Sequence, residues 1–294
     1  MPHFERITSK YSIMIIKYIV LIIIISLLSQ FSVAQNQNRN ELSLSSGIIN
    51  HKVVDQTISS MIYRGSTVPL FFEYNNRREK YNHRIFAYFS KLQLESSITN
   101  TDRYNIHTME NLNFQIEYSI TKNLFSSPKT KQSAGINIGA FLNYRNLEMN
   151  VWSSGMTLTA DHASSVSLFY NFNLKDIPVV FNTLNINIST PFVSYIILEG
   201  SYNANVNESL FEMDMDKNLI LQLLKYGRLV SFNKFFKINS NIILTRKISN
   251  RFSTKVSYYF NFYVFNKYEN MLQVRSLNNA ILFGFCYNMS NNEN

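Results

Sequence analysis

Two segments of the sequence combine a histidine with side chains suited to hydrolytic chemistry: His51 and Asp55 in one, and Asp161, His162, Ser164 and Ser165 in the other. Histidine is the natural general base near neutral pH, and a serine beside it is a candidate nucleophile. No nucleophile-elbow motif surrounds these serines, and neighbours in sequence need not converge in space. We therefore assign both segments to loops and predict no enzyme, with a hydrolase that uses a loop histidine as the alternative.

An acidic segment offers carboxylate oxygens, which calcium prefers as ligands, at Glu212, Asp214 and Asp216. Alternate residues on a helix do not share a face, so these three side chains would diverge. The apolar residues across 207–228 have helical spacing, and Ser209 with Glu212 forms a capping box. The segment therefore predicts a short helix in a loop, with no metal site, and we expect no cofactor.

Charged residues also occur inside segments that alternate strictly between apolar and polar side chains. In residues 112–121 every even position is apolar and every odd position is polar. Such alternation predicts β-strands with one face out of water and the other face wet. Similar patterns recur over 68–74, 84–95, 136–145, 165–175, 183–189, 255–264 and 280–287. The charged residues assigned to the wet faces are Glu73, Lys91, Glu117, Arg145, Lys175 and Lys255.

Two architectures bury one face of every strand, a soluble β-sandwich and a transmembrane β-barrel. The alternating runs are about 9–14 residues long, the length that a tilted strand needs to cross a bilayer, whereas sandwich strands average about 5–6. A lysine or arginine facing lipid at the bilayer midplane would cost about 2–4 kcal/mol, whereas lumen charges can pair across strands. The sequence therefore predicts an all-β, antiparallel, up-and-down transmembrane barrel with the six charges in its lumen. In 84–95 this assignment places Phe86, Tyr88, Leu92 and Leu94 on the lipid face.

Short polar links alternate with long ones along the chain, as periplasmic turns and outer loops do in bacterial barrels. The links divide the chain into about ten strands: 41–50, 68–75, 83–95, 110–121, 134–147, 164–175, 179–200, 230–248, 252–265 and 277–288. Pro191 is either a bulge in one long strand or a turn, which would make twelve strands. A barrel of ten strands is nearly filled by side chains, so we expect no wide pore. The bulky residues assigned to the lumen are Phe71, Phe89, Phe141, Phe169, Tyr259 and Tyr263.

The first 34 residues have the parts of a secretory signal peptide: a basic start, a short apolar run from Tyr18, and small residues Ser32 and Ala34 before the expected cut. Residues 35–294 then form a single domain with 25 Lys and Arg residues against 18 Asp and Glu residues, a net charge of +7. Cys286 is the only cysteine, so no intrachain disulfide or cysteine-based metal site is expected. No nucleic-acid-binding motif is present, so nucleic acid is not an expected partner.

The closing segment NNAILFGFCYNM resembles the C-terminal recognition strand of Gram-negative outer-membrane β-barrel proteins, with Gly284 followed by Phe285 and Tyr287. The family often ends on an aromatic residue, whereas here Met289 and SNNEN follow. The resemblance implies a place in the outer membrane, contact with its lipid, and insertion by the outer-membrane assembly machinery. We expect a porin-like monomer that acts through outer loops and a narrow or filled lumen, in surface interaction or in the binding or passage of a small or apolar solute. The alternatives are a hydrolase at the membrane rim and a secreted soluble β-sandwich that binds a ligand.

Overall fold

The computed structural model describes residues 39–56, 59–78, 80–96, 108–148, 156–177, 181–198, 202–203, 227–266 and 273–289. The chain divides into two units, residues 1–38 and 39–294. The first unit, which contains the expected signal peptide, lies outside the described residues. Among the described residues, no helix is long and apolar enough to span a membrane.

The described chain consists of antiparallel β-strands, as the alternating pattern predicts. The strands are β1 (Arg39–Asp55), β2 (Ser59–Thr67), β3 (Leu70–Arg77), β4 (Tyr81–Ser96), β5 (Thr108–Ser126), β6 (Thr130–Glu148), β7 (Met156–Lys175), β8 (Thr183–Leu198), β9 (Tyr202–Asn203), β10 (Gly227–Val230), β11 (Phe235–Lys247), β12 (Phe252–Asn266) and β13 (Gln273–Asn288). We refer to the end of the sheet with the short links 78–80, 127–129, 176–182 and 248–251 as the turn end, and to the opposite end as the loop end.

The strand pairings close the sheet into a ring. β1 pairs with β13 on one side and with β2 and β3 on the other. Neighbouring strands then pair in chain order from β4 to β8, and β8 pairs with β11, which leads through β12 back to β13. A closed ring leaves no unpaired strand edge, which is what a strand structure needs inside a bilayer. The predicted all-β antiparallel barrel is therefore confirmed.

β2 and β3 share one position in the ring, because β2 pairs with the loop-end part of β1 and β3 with the turn-end part. Between them lie Val68 and Pro69, and proline has no backbone N–H for a strand ladder. The described pairing of β2 with β4 is limited to Tyr63 with Ser96 and Arg64 with Glu95. The wall therefore has a short interruption in its hydrogen-bond ladder at this position.

The barrel wall is apolar outside and polar inside over most of its height. On β5 the polar residues from Asn111 to Thr121 are buried in the lumen, and the alternating apolar residues face outward. Large hydrophobic side chains with more than half of their surface exposed cover the outer face: Leu44, Ile48, Leu70, Ile138, Leu168, Ile281, Phe283 and Phe285. This arrangement is the reverse of that in a soluble protein and suits a hydrocarbon surrounding.

Near the loop end the outer face of the wall becomes polar and the inner face apolar. The same alternate positions of each strand continue to point inward. On β4, Lys91, Gln93 and Glu95 are exposed, while Leu92 and Leu94 are buried inside. The expected lipid-facing position of Phe86, Tyr88, Leu92 and Leu94 is therefore wrong, and Phe89, which we assigned to the lumen, is exposed. The physical reason is that strands that continue beyond the membrane meet water outside, so charged residues become favourable on the outer face.

The strands extend further than the predicted ones for the same reason. The first predicted strand ended at residue 50, but β1 continues to Asp55, and β7 begins at Met156 rather than at residue 164. β2 occupies half of the predicted loop 51–66. Pro191 lies within a single strand, β8, where a register shift leaves Phe192 without a strand partner. The predicted helix over 207–228 lies outside the described residues except for its last two, Gly227 and Arg228, which begin β10.

The side chains inside the barrel form two separate buried apolar clusters. The outer apolar cluster lies toward the loop end and comprises Val53, Tyr63, Leu92, Leu94, Met109, Phe141, Leu147, Ala163, Ile196, Phe235, Tyr263, Phe265 and Val274. The aromatic belt lies deeper and comprises Ile49, Phe71, Phe86, Tyr88, Tyr259, Ala280 and Leu282. Polar and charged residues fill the remaining interior, and they form the candidate site.

Candidate functional site: the barrel lumen

The structure places the six candidate lumen charges in three kinds of position. Glu73, Glu117, Arg145 and Lys255 are buried inside the barrel. Lys175 is the last residue of β7 and is exposed at the turn end. Lys91 is exposed on the outer face and takes no part in the lumen.

Glu73 is the centre of an ion cluster nearer the turn end. Arg84 Nε donates a hydrogen bond to one carboxylate oxygen of Glu73 at 2.7 Å. Lys255 Nζ donates to the other oxygen at 3.1 Å and to Ser43 Oγ at 2.7 Å. The Arg84 guanidinium also lies 4.8 Å from the ring centroid of Phe86, in cation–π geometry. Both oxygens of this buried carboxylate are thus neutralised by charged donors.

Glu117 is the centre of a second, more polar cluster. Lys237 Nζ lies 3.6 Å from the Glu117 carboxylate. Asn137 donates to it at 2.8 Å and Gln115 at 2.6 Å. The charge of Lys237 also lies 5.3 Å from the ring centroid of Phe141. The carboxylate is therefore held by side chains from β5, β6 and β11 rather than left open to a ligand.

Arg145 joins two buried acids directly beside the outer apolar cluster. Its guanidinium lies 2.7 Å from an Asp55 oxygen and 2.6 Å from an Asp161 oxygen. Tyr263 donates its hydroxyl to Asp161 at 2.9 Å. Arg145 has no exposed surface, and it links β1, β6 and β7 across the lumen. Removing one member of such a buried ion group is strongly destabilising, because it leaves charges without partners in a dry interior.

Aromatic rings close the lumen beside this ion group. Phe141 stacks on Phe235 with ring centroids 5.5 Å apart, and Tyr263 packs on Phe141 at 5.0 Å. Phe265 meets Phe235 edge-on at 6.0 Å. Two small cavities lie deeper, next to Glu117, and neither has room for more than about one water molecule. The described interior beside these rings is therefore occupied by packed side chains.

The histidine segments do not form a hydrolytic site in this arrangement. His51 is buried, with Asn113 Nδ2 3.0 Å from its Nδ1 and Ser276 Oγ 3.0 Å from its Nε2. The amide nitrogen of Asn113 also donates to Asn111, and this second bond keeps the nitrogen of Asn113 facing His51. His51 Nδ1 then accepts and Nε2 donates to Ser276, the opposite of what a base beside a nucleophile requires.

The second histidine segment is spread over both faces of β7. Asp161 faces inward and is bound by Arg145, whereas His162, the next residue, faces outward. Ser164 is exposed outside, and Ser165 lies 2.8 Å from Ser194 Oγ. The strand alternation therefore separates side chains that are adjacent in sequence.

The sequence pattern missed half of the charged groups inside the barrel. Arg84, Lys237, Asp55 and Asp161 complete the lumen clusters, which gives four basic and four acidic side chains in total. Lys237 lies on the polar phase of its strand with Asn239 and Asn241, which was the available signal, whereas Arg84 shares its phase with Phe86 and Tyr88. Asp55 and Asp161 lie in segments that the sequence predicts as loops. They are missed because β1 and β7 continue beyond the alternating runs.

Comparisons with known proteins find similarity to solved structures at low sequence identity. No family model and no curated protein matches the sequence. Three solved structures with similar chains are the outer membrane protease OmpT from Escherichia coli, the toluene transporter TbuX from Ralstonia pickettii, and the translocator domain of the autotransporter NalP from Neisseria meningitidis. This chain resembles Gram-negative outer-membrane β-barrel proteins. The likeness is confined to the fold.

The match to OmpT has 8% identity and a TM-score of 0.49, and it covers 88% of this chain and 99% of that chain. The match to TbuX has 6% identity and a TM-score of 0.35, with 86% and 90% covered. The match to the NalP domain has 7% identity and a TM-score of 0.39, with 85% and 88% covered.

Proposed function

We propose that the protein is an outer-membrane β-barrel with a closed lumen, and that its role is a non-enzymatic surface interaction made by the outer loops. The observation that carries this proposal is the filled interior. Arg145 with its two aspartates, the outer apolar cluster and the aromatic belt together occupy the space through which a solute would pass. Side chains that fill the lumen in this way stabilise the barrel wall and do not suit the transport of a solute.

With the lumen filled, the outer loops are the part of the molecule that can bind a partner. Two long links at the loop end are residues 97–107, which follow β4, and residues 204–226, which follow β9. Loops held by a rigid scaffold are where binding residues concentrate in proteins generally. The acidic segment around Glu212 and Asp214 belongs to the longest of these links. We infer that this link contributes to the partner surface.

Conductance in planar lipid bilayers tests the closed lumen. We expect the purified chain to insert without producing stable current steps, and vesicles that contain it to exclude small sugars. Stable channels in the wild-type protein would contradict the proposal and favour the passage of a small solute. A His51→Gln, His162→Gln double variant provides the test for the alternative enzyme. Lipid or peptide cleavage that this variant loses would make the protein a hydrolase.

Protease treatment of intact cells tests the location of the loops. We expect cleavage within residues 199–226 while the strands remain protected. Cleavage only after the outer membrane is broken would place the long loops in the periplasm and contradict the proposal. We also propose export after cleavage near Ala34, insertion by the outer-membrane assembly machinery, and a monomeric state. N-terminal sequencing of the mature chain and light scattering in detergent test the first and the last of these.

A further inference from the structure

The charges of this barrel are distributed very unevenly between its two ends. The lumen clusters contain four basic and four acidic side chains and are therefore balanced. At the turn end the described residues contribute ten basic side chains, all exposed or half-buried, against two acidic ones, Glu41 and Asp176. The basic rim, as we name this set, comprises Arg77, Arg78, Lys80, Lys122, Lys129, Lys131, Lys175, Arg246, Lys247 and Arg251.

The loop end does not share this excess. Its described strands present six basic side chains, and the adjoining links bring many acids, including five between residues 199 and 216. Across the whole sequence from residue 35, the net charge of +7 is therefore concentrated at the turn end. Such an asymmetry creates a local positive potential that attracts anions to one end of the molecule.

Among the residues that the structure describes, few acidic side chains neutralise the basic rim. Within the described part of the chain, Arg77 is the one member with an ion pair, to Glu41 at 3.4 Å. Burial lowers the pKa of Lys131, and the positive charges of Arg77 and Lys175, which come from other strands, lower it further. Holding like charges together costs free energy unless an external anion is bound. The rim thus has a surplus of donors that points to an anionic partner.

Exposed apolar side chains lie among these bases. Tyr81, Leu124, Phe125, Ile248 and Phe252 each have between 46% and 64% of their surface exposed at the turn end. A register shift between Asn123 and Phe125 leaves both Leu124 and Phe125 exposed beside Lys122. Apolar rings beside long basic side chains are typical of a membrane interface, where the rings enter the acyl region and the charges reach the headgroups.

We propose that the basic rim binds the phosphate groups of anionic phospholipids in the leaflet at the turn end. A soluble acidic protein would match the charge but would leave the interleaved apolar side chains exposed to water. A lipid leaflet satisfies both, because its headgroup phosphates lie directly next to its acyl chains. This inference rests on the proposed membrane placement.

Lipid selectivity of the full chain in vesicles tests the proposal. The probe is spin-labelled phosphatidylglycerol or phosphatidylcholine in phosphatidylcholine vesicles, and the readout is the ratio of their association constants. We expect a preference of about threefold or more for phosphatidylglycerol at about 0.05 M salt, falling toward unity at about 0.5 M salt. A ratio near unity at low salt in the wild-type protein would overturn the inference.

Matched variants locate the effect. The rim variant changes four basic residues to Gln: Lys80, Lys122, Lys129 and Lys247. The loop-end variant changes four others to Gln: Lys52, Arg64, Lys91 and Arg275. We expect the first variant to lose at least half of the preference and the second to keep most of it. Equal losses would overturn the assignment to the turn end. Heat-modifiable gel migration checks that both variants are folded, and the salt series on the wild-type protein stands independently of them.

A competition experiment distinguishes binding of phosphate in a lipid headgroup from binding of a free anion. Inorganic phosphate and sodium chloride are compared at equal ionic strength as competitors of the labelled phosphatidylglycerol. Equal competition is expected if the rim recognises phosphate within a leaflet through screened charge. Much stronger competition by inorganic phosphate would show a site for the free anion and overturn the assignment to lipid. Failure of the chain to insert into any vesicle would instead contradict the membrane placement, so the two failures are distinguishable.

Discussion

At the residue scale, the alternating pattern located charges better than it located their partners. Glu73, Glu117, Arg145 and Lys255 stand out in the sequence as charges on the polar phase of a strand. Some of their partners lie far away along the chain: Lys255 is 182 residues from Glu73, and Arg145 is 90 residues from Asp55. No local pattern contains such pairings, because they depend on how the ring closes. The candidate site was therefore predictable as a set of charges but not as three clusters.

Arg145 is the residue on which the loop-end interior depends most. We expect Arg145→Met to lower the free energy of unfolding by about 3–5 kcal/mol, because Asp55 and Asp161 would remain buried without their cation. Adding Asp55→Asn and Asp161→Asn should recover much of the loss, since amides carry no charge to neutralise. Urea titration in vesicles, followed by the fluorescence of Trp152, measures all three. A loss below about 1 kcal/mol for the single variant would contradict the ion group.

Lys255 and Lys91 form a matched pair that the sequence could not distinguish. We expect Lys255→Met to destabilise the barrel by about 1–3 kcal/mol, because Glu73 loses one of its two charged donors while buried. Lys91→Met should change stability by less than about 0.5 kcal/mol, because its side chain lies on the outer face. The same urea titration compares them. Equal effects would mean that the two lysines occupy similar surroundings.

At the scale of the strands, the period of two was predictable but the exchange of the faces was not. Buried and exposed residues alternate on β4 without a break from Tyr88 to Glu95, and the strand itself was found within a few residues of its ends. The assignment of its faces failed because the pattern alone does not show where the strand leaves the membrane. The ion pair between Glu73 on β3 and Arg84 on β4 shows which positions face inward. Lys91 then lies on the outer face, and its charge marks the point where that face stops being suited to lipid.

Thiol labelling can map this limit on β4. In a Cys286→Ser background, we expect Gln93→Cys to react rapidly with a charged, water-soluble maleimide. Phe89→Cys should react only with a lipid-soluble reagent, and Leu94→Cys should react slowly with either because it is buried. Mass spectrometry of the labelled chain gives the rates. Equal reaction of Phe89→Cys and Gln93→Cys with the charged reagent would show that the outer face does not change character between them.

At the scale of the whole molecule, the signs that predicted a closed barrel were the length of the alternating runs and the charges confined to their polar faces. The closure itself, with β1 paired to β13, joins the two ends of the chain and has no local signature in the sequence. The division of one wall position between β2 and β3 was equally hidden, because residues 51–66 look like a polar loop. Overall architecture was thus more predictable than the path of individual strands.

The closed ring predicts resistance of the folded protein to detergent. We expect the unheated chain to migrate faster than the boiled chain on a gel in dodecyl sulfate, because a barrel without free edges stays compact. Refolding should require micelles or lipid, since the exposed Phe283 and Phe285 need an apolar surrounding. Circular dichroism and gel migration measure both. Soluble, monomeric refolding without detergent would favour the β-sandwich instead.

The interruption between β2 and β3 makes one stretch of the wall different from the rest in its response to deuterated solvent. Val68 has no cross-strand partner in the described pairing, and Ser90 to Leu94 pair with β5 but not with β2 or β3. The amide of Val68, and those amides between Ser90 and Leu94 that point toward β2, have no partner in the described strand ladder. They should therefore exchange their protons for deuterium sooner than the amides of β5 and β6, whose ladder runs almost unbroken. Mass spectrometry of peptic fragments would reveal this order. Local unfolding on heating would then begin at the wall position where Pro69 separates β2 from β3.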